Sequence, residues 1–180
     1  MDYYLRALME KDRDMIYEWR NSESIRENMY NDQPIPYEAH CQWFDSVLKN
    51  ESRFYRLFLY KNKPLGLVSF KEVNLQNQTC TWGFYIGEPH APKGSGTIMG
   101  ALALDYAFYQ LNIRKIIGMV LSFNQRSVRF HHRLGFCQEG LFKKEWSRNG
   151  QFIDLIRLSL FKEDWEKQKE KPNLHFITEE

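Results

Sequence analysis

The stretch that decides the fold of this chain is Trp82-Gly-Phe-Tyr-Ile-Gly-Glu-Pro-His-Ala-Pro-Lys-Gly-Ser-Gly-Thr-Ile-Met-Gly100. Its first residues are typical of a strand, and Gly94, Ser95 and Gly96 form a loop that leads into a helix start near Thr97. Glycines let the backbone approach a ligand closely, and the first N–H groups of a helix have no partner within it. These glycines and N–H groups, together with the helix dipole, predict a binding site for a phosphate or pyrophosphate. An ordinary loop before a helix is the alternative, because it could have the same residues.

A second informative segment begins at Arg114. Arg114-Lys-Ile-Ile-Gly-Met-Val-Leu121 is typical of a short buried strand, and Ser-Phe-Asn124-Gln-Arg-Ser127-Val-Arg-Phe-His131-His-Arg-Leu-Gly135-Phe136 is typical of a helix that a glycine ends. Together the two segments resemble motifs A and B of the GNAT superfamily of acetyl-CoA-dependent N-acetyltransferases. The family's fold would account for roughly residues 2 to 162.

The elements predicted along the rest of the chain fit this family. Strands are expected at 3–8, 54–61, 65–73, 79–87, 114–121, 138–147 and 151–161, and helices at 11–21, at 36–49 behind Pro36, at about 96–111 and in motif B. Arg148-Asn149-Gly150 predicts a hairpin, and Asp154 is expected either to anchor the fold through backbone hydrogen bonds, which we favour, or to contact the acceptor. The resemblance implies an α+β (mixed α/β) GNAT acyl-CoA N-acyltransferase fold. That fold has a central, mostly antiparallel, seven-stranded twisted sheet flanked by about four helices, with a V-shaped splay between strands 4 and 5.

The resemblance also implies that acetyl-CoA is the cosubstrate. In the family the glycine loop wraps the CoA pyrophosphate, the strand before it binds the pantetheine arm as an extra strand would, and the motif B helix touches the thiol end. The cofactor-binding residues implied here are Tyr85, Ile86, Gly87, Lys93, Gly94, Ser95, Gly96, Thr97, Asn124, Ser127, Arg129 and Arg133. Arg129 and Arg133 share a helix face with Arg126, which either meets the adenosine phosphates or is simply solvated.

Two departures from the family pattern bear on the site. Ala91 stands where a Gln or Arg is expected before the loop, and His131 stands where many relatives have a tyrosine acid. Because an imidazole titrates near ~6.5, His131 is expected to protonate the leaving thiolate, unless it only packs between the cofactor and the core. The predicted catalytic set is His131, Asn124, Tyr85 and His40.

The general base is left open by the sequence. Many family members have a glutamate on the fourth strand, and Gly83 occupies that position here. His40, Glu88 and an ordered water are the candidates that remain. Direct transfer from acetyl-CoA to the amine needs no nucleophile on the protein.

The acceptor is indicated by three segments, 19–29, 35–44 and 80–85, which resemble the amino-sugar N-acetyltransferases of the pseudaminic acid pathway. That resemblance implies a UDP-linked 4-amino sugar, bound by Trp19, Arg20, Asn21, Arg26, Met29, His40 and Trp43. Spermidine acetyltransferases and ribosomal-protein N-terminal acetyltransferases are alternatives, because they share a similar first helix and the pattern of Gly150-Gln-Phe-Ile-Asp154. A non-catalytic acetyl-CoA-binding sensor is the alternative of another class.

Charge does not decide between these acceptors. A UDP-sugar needs cations and aromatic faces, whereas a polyamine needs converging carboxylates. Arg20 and Arg26 favour the nucleotide sugar, but residues 19–43 also contain Glu23, Glu27, Asp32 and Glu38. We expect the nucleotide sugar, and we note that Trp19 and Trp43 occupy helical positions where aromatic residues often belong to the core.

The composition bounds the remaining classes. The chain has 180 residues, of which 43% are apolar, and no low-complexity linker, which predicts one N-acetyltransferase domain at 1–165 with a charged tail at 166–180. Neither a signal peptide nor an apolar run of membrane-spanning length is recognisable, so we expect a cytoplasmic protein without a membrane partner. A net charge of +2 gives no reason to expect a nucleic-acid partner. No metal is expected, since His131 and His132 point about 100° apart on a helix. A homodimer is left open.

Overall fold

The computed structural model describes residues 2–51 and 54–170. Seven strands in these residues form one sheet in the order β1-β2-β3-β4-β5-β7-β6. The strands are β1 (Tyr3–Arg6), β2 (Tyr55–Tyr60), β3 (Lys63–Asn74), β4 (Thr79–Ile86), β5 (Lys115–Leu121), β6 (Cys137–Arg148) and β7 (Gln151–Phe161). Each predicted strand lies within two residues of its observed ends.

The pairing of the strands follows the expected pattern. β1 with β2, β2 with β3, β5 with β7 and β6 with β7 are antiparallel. β4 and β5 run parallel, and their register covers the three pairs Thr79↔Lys115, Cys80↔Ile116 and Thr81↔Ile117. Both strands continue beyond this register, β4 to Ile86 and β5 to Leu121. The short parallel register is what the predicted splay between strands 4 and 5 requires.

Six α-helices lie in the described residues, where about four were expected. They are α1 (Arg13–Asn21), α2 (Glu23–Arg26), α3 (Tyr37–Ser46), α4 (Ser95–Asp105), α5 (Gln125–Arg133) and α6 (Lys162–Lys169). α3 and α4 end in wider π-helical turns at Val47–Glu51 and Tyr106–Gln110. The four-residue α2 is too short to show an apolar period in the sequence. No helix in the described ranges is both long enough and apolar enough to cross a bilayer.

The chain divides into two compact units. The first unit contains the described residues of Met1–Ser69 together with Phe84–Gly96, and the second contains Phe70–Gly83 together with those of Thr97–Glu180. The core of the first unit is built around Ile16, Phe44, Leu57, Leu59 and Leu67. In the second unit the fully buried side chains include Leu104, Phe108, Phe136, Leu158 and Trp165. The prediction of a single domain stays a prediction.

The last two strands confirm two details read from the sequence. Asn149 and Gly150 have φ of 50° and 74°, as a two-residue hairpin loop of the type I′ kind requires. β6 departs from regular pairing between Phe142 and Trp146, and there the Lys144 N–H donates to Asp154 Oδ1 at 2.7 Å. Asp154 therefore anchors the fold, as predicted. α6 continues through the boundary predicted at 165, and residues 171–180 of the predicted tail lie outside the described residues.

Candidate active site

The glycine loop has the properties of a ligand cradle. Gly94 adopts φ of +93°, a left-handed conformation that favours glycine. An added Cβ at Gly94 or Gly96 would meet nothing within 4 Å, so the space beside both residues is open. Ser95 is only 2% exposed, and its hydroxyl has no hydrogen-bond partner in the described part of the chain. Open space beside a left-handed glycine at the start of α4 fits the phosphate oxygens of CoA, and the unmet Ser95 hydroxyl is a further polar group of this turn.

One part of the predicted cradle needs correction. The Ser95 N–H donates to the Pro92 carbonyl at 3.1 Å, so this amide is already used within the loop. The anion would be bound by the amides of Gly94, Gly96 and Thr97 and by the Ser95 hydroxyl. Sequence reasoning missed the hydroxyl, because a side chain that points inward cannot be read from a short loop.

The start of α5 is fixed by a side-chain cap. Asn124 is the N-cap residue, and its Oδ1 accepts from the Ser127 N–H at 3.0 Å. This bond explains why an asparagine opens the helix, because it satisfies an N–H that has no partner within the helix. Arg126, Arg129 and Arg133 are all exposed on α5, so they are accessible to phosphate groups. The catalytic role predicted for Asn124 stays a prediction beside this structural one.

His131 was expected to be a proton donor at the thiol end of the cofactor or a packed side chain, and the structure shows a packed one. It is 2% exposed, and its Nε2 accepts from Trp82 Nε1 at 3.1 Å. Because an indole N–H can only donate, the imidazole proton lies on Nδ1, which donates to the Ser127 carbonyl at 2.8 Å. Burial lowers the pKa of His131 to about 4. The pKa of His131 therefore lies well below the ~6.5 of a free imidazole, and both ring nitrogens already have partners inside the second unit.

His40 is also a core residue. It is 2% exposed, its Nε2 donates to the Arg13 carbonyl at 2.9 Å, and burial lowers its pKa. Its ring lies among those of Tyr17, Trp43 and Phe44. This setting explains the histidine by packing, and its catalytic and acceptor-binding roles stay predictions.

Two of the predicted acceptor residues hold the segment after α2 in place. Arg26 donates to the carbonyls of Asn21 and Asp32 at 2.9 and 2.7 Å. Asn21 in turn binds both backbone groups of Ile35, through Nδ2 at 3.0 Å and through Oδ1 at 2.8 Å. Met29 is half-buried in this segment. Arg26 and Asn21 therefore satisfy backbone groups, a role that no side-chain pattern in the sequence announces.

Arg20 and Tyr85, like Ser95, are predicted site residues of the first unit with unmet polar atoms. Arg20 Nη2 donates to the Asn31 carbonyl at 3.1 Å, whereas its buried Nη1 has no partner within the described ranges. The buried hydroxyl of Tyr85 has none either, and burial raises its pKa. The two side chains interact electrostatically, and burial lowers the pKa of Arg20. Trp19 and Trp43, the aromatic acceptor-binding candidates, pack against the core of the first unit. The Trp19 indole lies so close to Gly87 that a Cβ there would overlap it.

The first helices carry an acidic excess. Residues 10–45 contain nine acidic and four basic side chains, a difference of five in a chain whose net charge is +2. Arg13 forms an ion pair with Asp45, Asp12 pairs with Arg6, and Arg20 and Arg26 donate to backbone carbonyls, so three of the four cations and two of the nine carboxylates are already used. Glu18, Glu23, Glu27 and Glu38 are exposed. This surface favours a cationic ligand over an anionic one.

Comparisons with known proteins define the class. Residues 3–137 match the acetyltransferase (GNAT) domain family, so the chain belongs to that family. It is 26% identical over 171 residues to spermidine N(1)-acetyltransferase of Escherichia coli (strain K12), covering 93% of this chain and 90% of the relative. It is 25% identical over 123 residues to acetyltransferase PseH of Campylobacter jejuni subsp. jejuni serotype O:23/36 (strain 81-176), covering 68% and 75%.

A solved structure is similar over nearly the whole chain. The Vibrio cholerae spermidine N-acetyltransferase in complex with CoA and spermine superimposes with a TM-score of 0.81. The two chains are 24% identical, and the match covers 92% of this chain and 98% of the other. The GNAT fold is thereby confirmed, and with the family it supports the predicted enzyme class, an N-acetyltransferase that uses acetyl-CoA. The narrower resemblance to amino-sugar enzymes is unconfirmed.

Proposed function

We propose that this N-acetyltransferase transfers the acetyl group to a primary amine of a polyamine such as spermidine. The observation that carries the proposal is the acidic excess of the first helices, since a polyamine is bound through several carboxylates. The comparisons support the same class, because the relative from E. coli is a spermidine acetyltransferase and matches over 93% of this chain. This substrate was the alternative to the nucleotide sugar that the sequence favoured.

The reaction is a direct transfer. When bound, acetyl-CoA supplies a thioester whose carbonyl carbon accepts the amine nitrogen, so that an N–C bond forms, the C–S bond breaks and CoA leaves as a thiol. The glycine loop binds and orients the pyrophosphate, which places the reacting end relative to the acceptor. The acceptor ammonium must lose a proton before its nitrogen can attack.

The chain offers few groups for that proton. His40 and His131 hold their positions through the hydrogen bonds described above. Glu88 follows β4, and its pKa lies below the usual range, chiefly because its carboxylate accepts from the His90 N–H and also pairs with Lys63. A carboxylate with a lowered pKa is a weak base, so we propose that water receives the proton and that turnover rises with the free-amine fraction.

Arg20 keeps a second candidate in place. Its guanidinium is partly buried, and one nitrogen has no partner in the described residues, which favours an acceptor that carries an oxygen anion. A UDP-linked amino sugar has such a group, and a polyamine has none. The nucleotide-sugar candidate depends on one side chain, whereas the polyamine candidate depends on a whole surface.

The homodimer remains a proposal.

The test compares acceptors at fixed acetyl-CoA by following thiol release. We expect kcat/KM for spermidine to exceed that for UDP-4-amino-4,6-dideoxy-N-acetyl-β-L-altrosamine, and that for an N-terminal peptide, by about tenfold or more. Faster turnover of the sugar, lost specifically in Arg20→Gln, would replace the polyamine with the second candidate. Absence of thiol release with every amine tested would instead support the alternative of a non-catalytic acetyl-CoA-binding sensor.

A charge variant sharpens the comparison. Removing two exposed carboxylates in Glu23→Gln/Glu27→Gln should raise the KM for spermidine by about fivefold, while the KM for acetyl-CoA stays the same. Glu145→Gln removes an exposed carboxylate from β6 and is the matched control. Equal effects of the two variants would contradict a role for the acidic helices.

A further inference from the structure

The parallel register of β4 and β5 ends beside a side chain from α5. The last pair is Thr81↔Ile117, and the next residue on each strand is Trp82 or Gly118. His131 contacts both of these residues. Trp82 donates its indole N–H to Nε2, and a Cβ at Gly118 would overlap the imidazole ring. The glycine therefore provides the space in which the ring lies.

The imidazole is held on its other sides as well. Its Nδ1–H donates to the Ser127 carbonyl in the first turn of α5. The Phe136 ring lies 4.9 Å away at 86°, and Phe136 also stacks on the Trp82 indole at 5.3 Å. A single ring thus joins the end of the parallel register to the start of the helix that Asn124 caps.

We infer that His131 is a positioning residue for acetyl-CoA binding: its ring packs over Gly118, binds Trp82 just past the last β4–β5 pair and holds the first turn of α5 beside that point. The ring fills the space over Gly118 that a larger side chain would occupy, so it fixes the distance between α5 and the end of the β4–β5 register. Through Ser127 it also sets the place of the capped turn. The inference rests on the use of acetyl-CoA by this family and does not depend on which amine is acetylated.

Variants separate this role from that of an acid. His131→Phe keeps a planar ring but removes the imidazole acceptor of the Trp82 indole N–H and the imidazole donor to the Ser127 carbonyl. We expect the KM for acetyl-CoA to rise about tenfold, while kcat and the KM for the amine change less than about threefold. His131→Gln retains an acceptor and a donor and should recover part of the affinity. His132→Gln, at the exposed neighbour, is the control.

A spectroscopic readout tests the geometry itself. The chain has five tryptophans, so its ¹H–¹⁵N spectrum contains five indole signals, and Trp82→Phe identifies the one that belongs to Trp82. That signal should exchange slowly in the native protein and in His131→Gln, and should move and exchange faster in His131→Phe. If His131→Phe does not fold, Trp82→Phe and His131→Gln provide the same kinetic comparison.

Two results would overturn the inference. One is an unchanged KM for acetyl-CoA in both His131→Phe and Trp82→Phe. The other is a loss of kcat of about 10² or more at unchanged KM, which would make His131 the proton donor that the family resemblance implied. Failure of spermidine as an acceptor would leave the inference intact, because cofactor affinity can be measured by calorimetry with CoA alone.

Discussion

The glycine loop and the His131 region differ in how fully their polar groups are satisfied. At the loop a buried hydroxyl on Ser95 has no partner in the described residues, and open space lies beside Gly94 and Gly96. At His131 both ring nitrogens are bonded, and the space beside Gly118 is filled by the ring. Both regions belong to motifs that the family resemblance assigns to the cofactor.

The difference shows what kind of contribution each region makes. A folded chain rarely leaves a buried polar group unmet, since the lost hydrogen bond is costly, and an exception beside open space points to a ligand. A polar group whose hydrogen bonds are all made within the chain contributes by holding other residues in place instead. We therefore expect the loop to contact the cofactor and His131 to support the residues that do.

The largest expected effect concerns the buried, fully hydrogen-bonded ring of His131, and it is seen in the pH dependence of the free energy of unfolding. The unfolded chain binds a proton on this histidine below about 6.5, whereas the folded chain resists protonation until about 4, because the ring is buried. The unfolded state thus binds more protons between these values, and the free energy of unfolding should fall by about 3 kcal/mol as pH drops from 6.5 to 4.

Urea unfolding at several pH values measures this loss. In His131→Gln the pH dependence should be smaller by that amount, while the carboxylates common to both proteins cancel in the comparison. His132→Gln removes the neighbouring histidine that also disfavours the protonated ring, and should change the dependence only slightly. Identical pH dependence in the native protein and His131→Gln would mean that the ring is not held neutral.

Gly96→Val tests whether the open space beside the glycine loop binds the cofactor. The added side chain meets no protein atom at its Cβ, so the variant should fold with a nearly unchanged melting temperature. It would occupy the space assigned to phosphate oxygens, and the Kd for acetyl-CoA should rise about 10²-fold in calorimetry. Unchanged affinity in a folded variant would remove the loop from the cofactor site.

The sequence was sufficient where the information is local. The glycines at 94 and 96, the alternation in the strands and Asn149-Gly150 each reflect a backbone requirement at their own position, and those elements were predicted within two residues. Asn124 before the helix is similar, because a cap acts within one turn.

The roles of single polar side chains could not be predicted in this way. His131 is explained by Trp82, which is 49 residues away in the chain, and by the missing Cβ of Gly118. Arg26 and Asn21 bind the backbone carbonyls of Asp32 and Ile35. Because every residue has a backbone carbonyl, the sequence does not show which one a side chain will bind. The acidic excess of residues 10–45 was countable, but its meaning depends on which of its cations are already used.

The smallest expected effect concerns the Ser95 hydroxyl, and it is the most direct comparison of the two regions. Ser95→Ala removes a buried hydroxyl that has no partner in the described residues, so stability without ligand should be unchanged or slightly higher. If the hydroxyl binds a phosphate oxygen, the Kd for CoA should rise by about fivefold to tenfold. Trp82→Phe, which also removes one donor, should lower stability without ligand, because its acceptor on His131 lies inside the chain. If Ser95→Ala also destabilised the free protein, the hydroxyl would belong to the fold, and the contrast between the two regions would be lost.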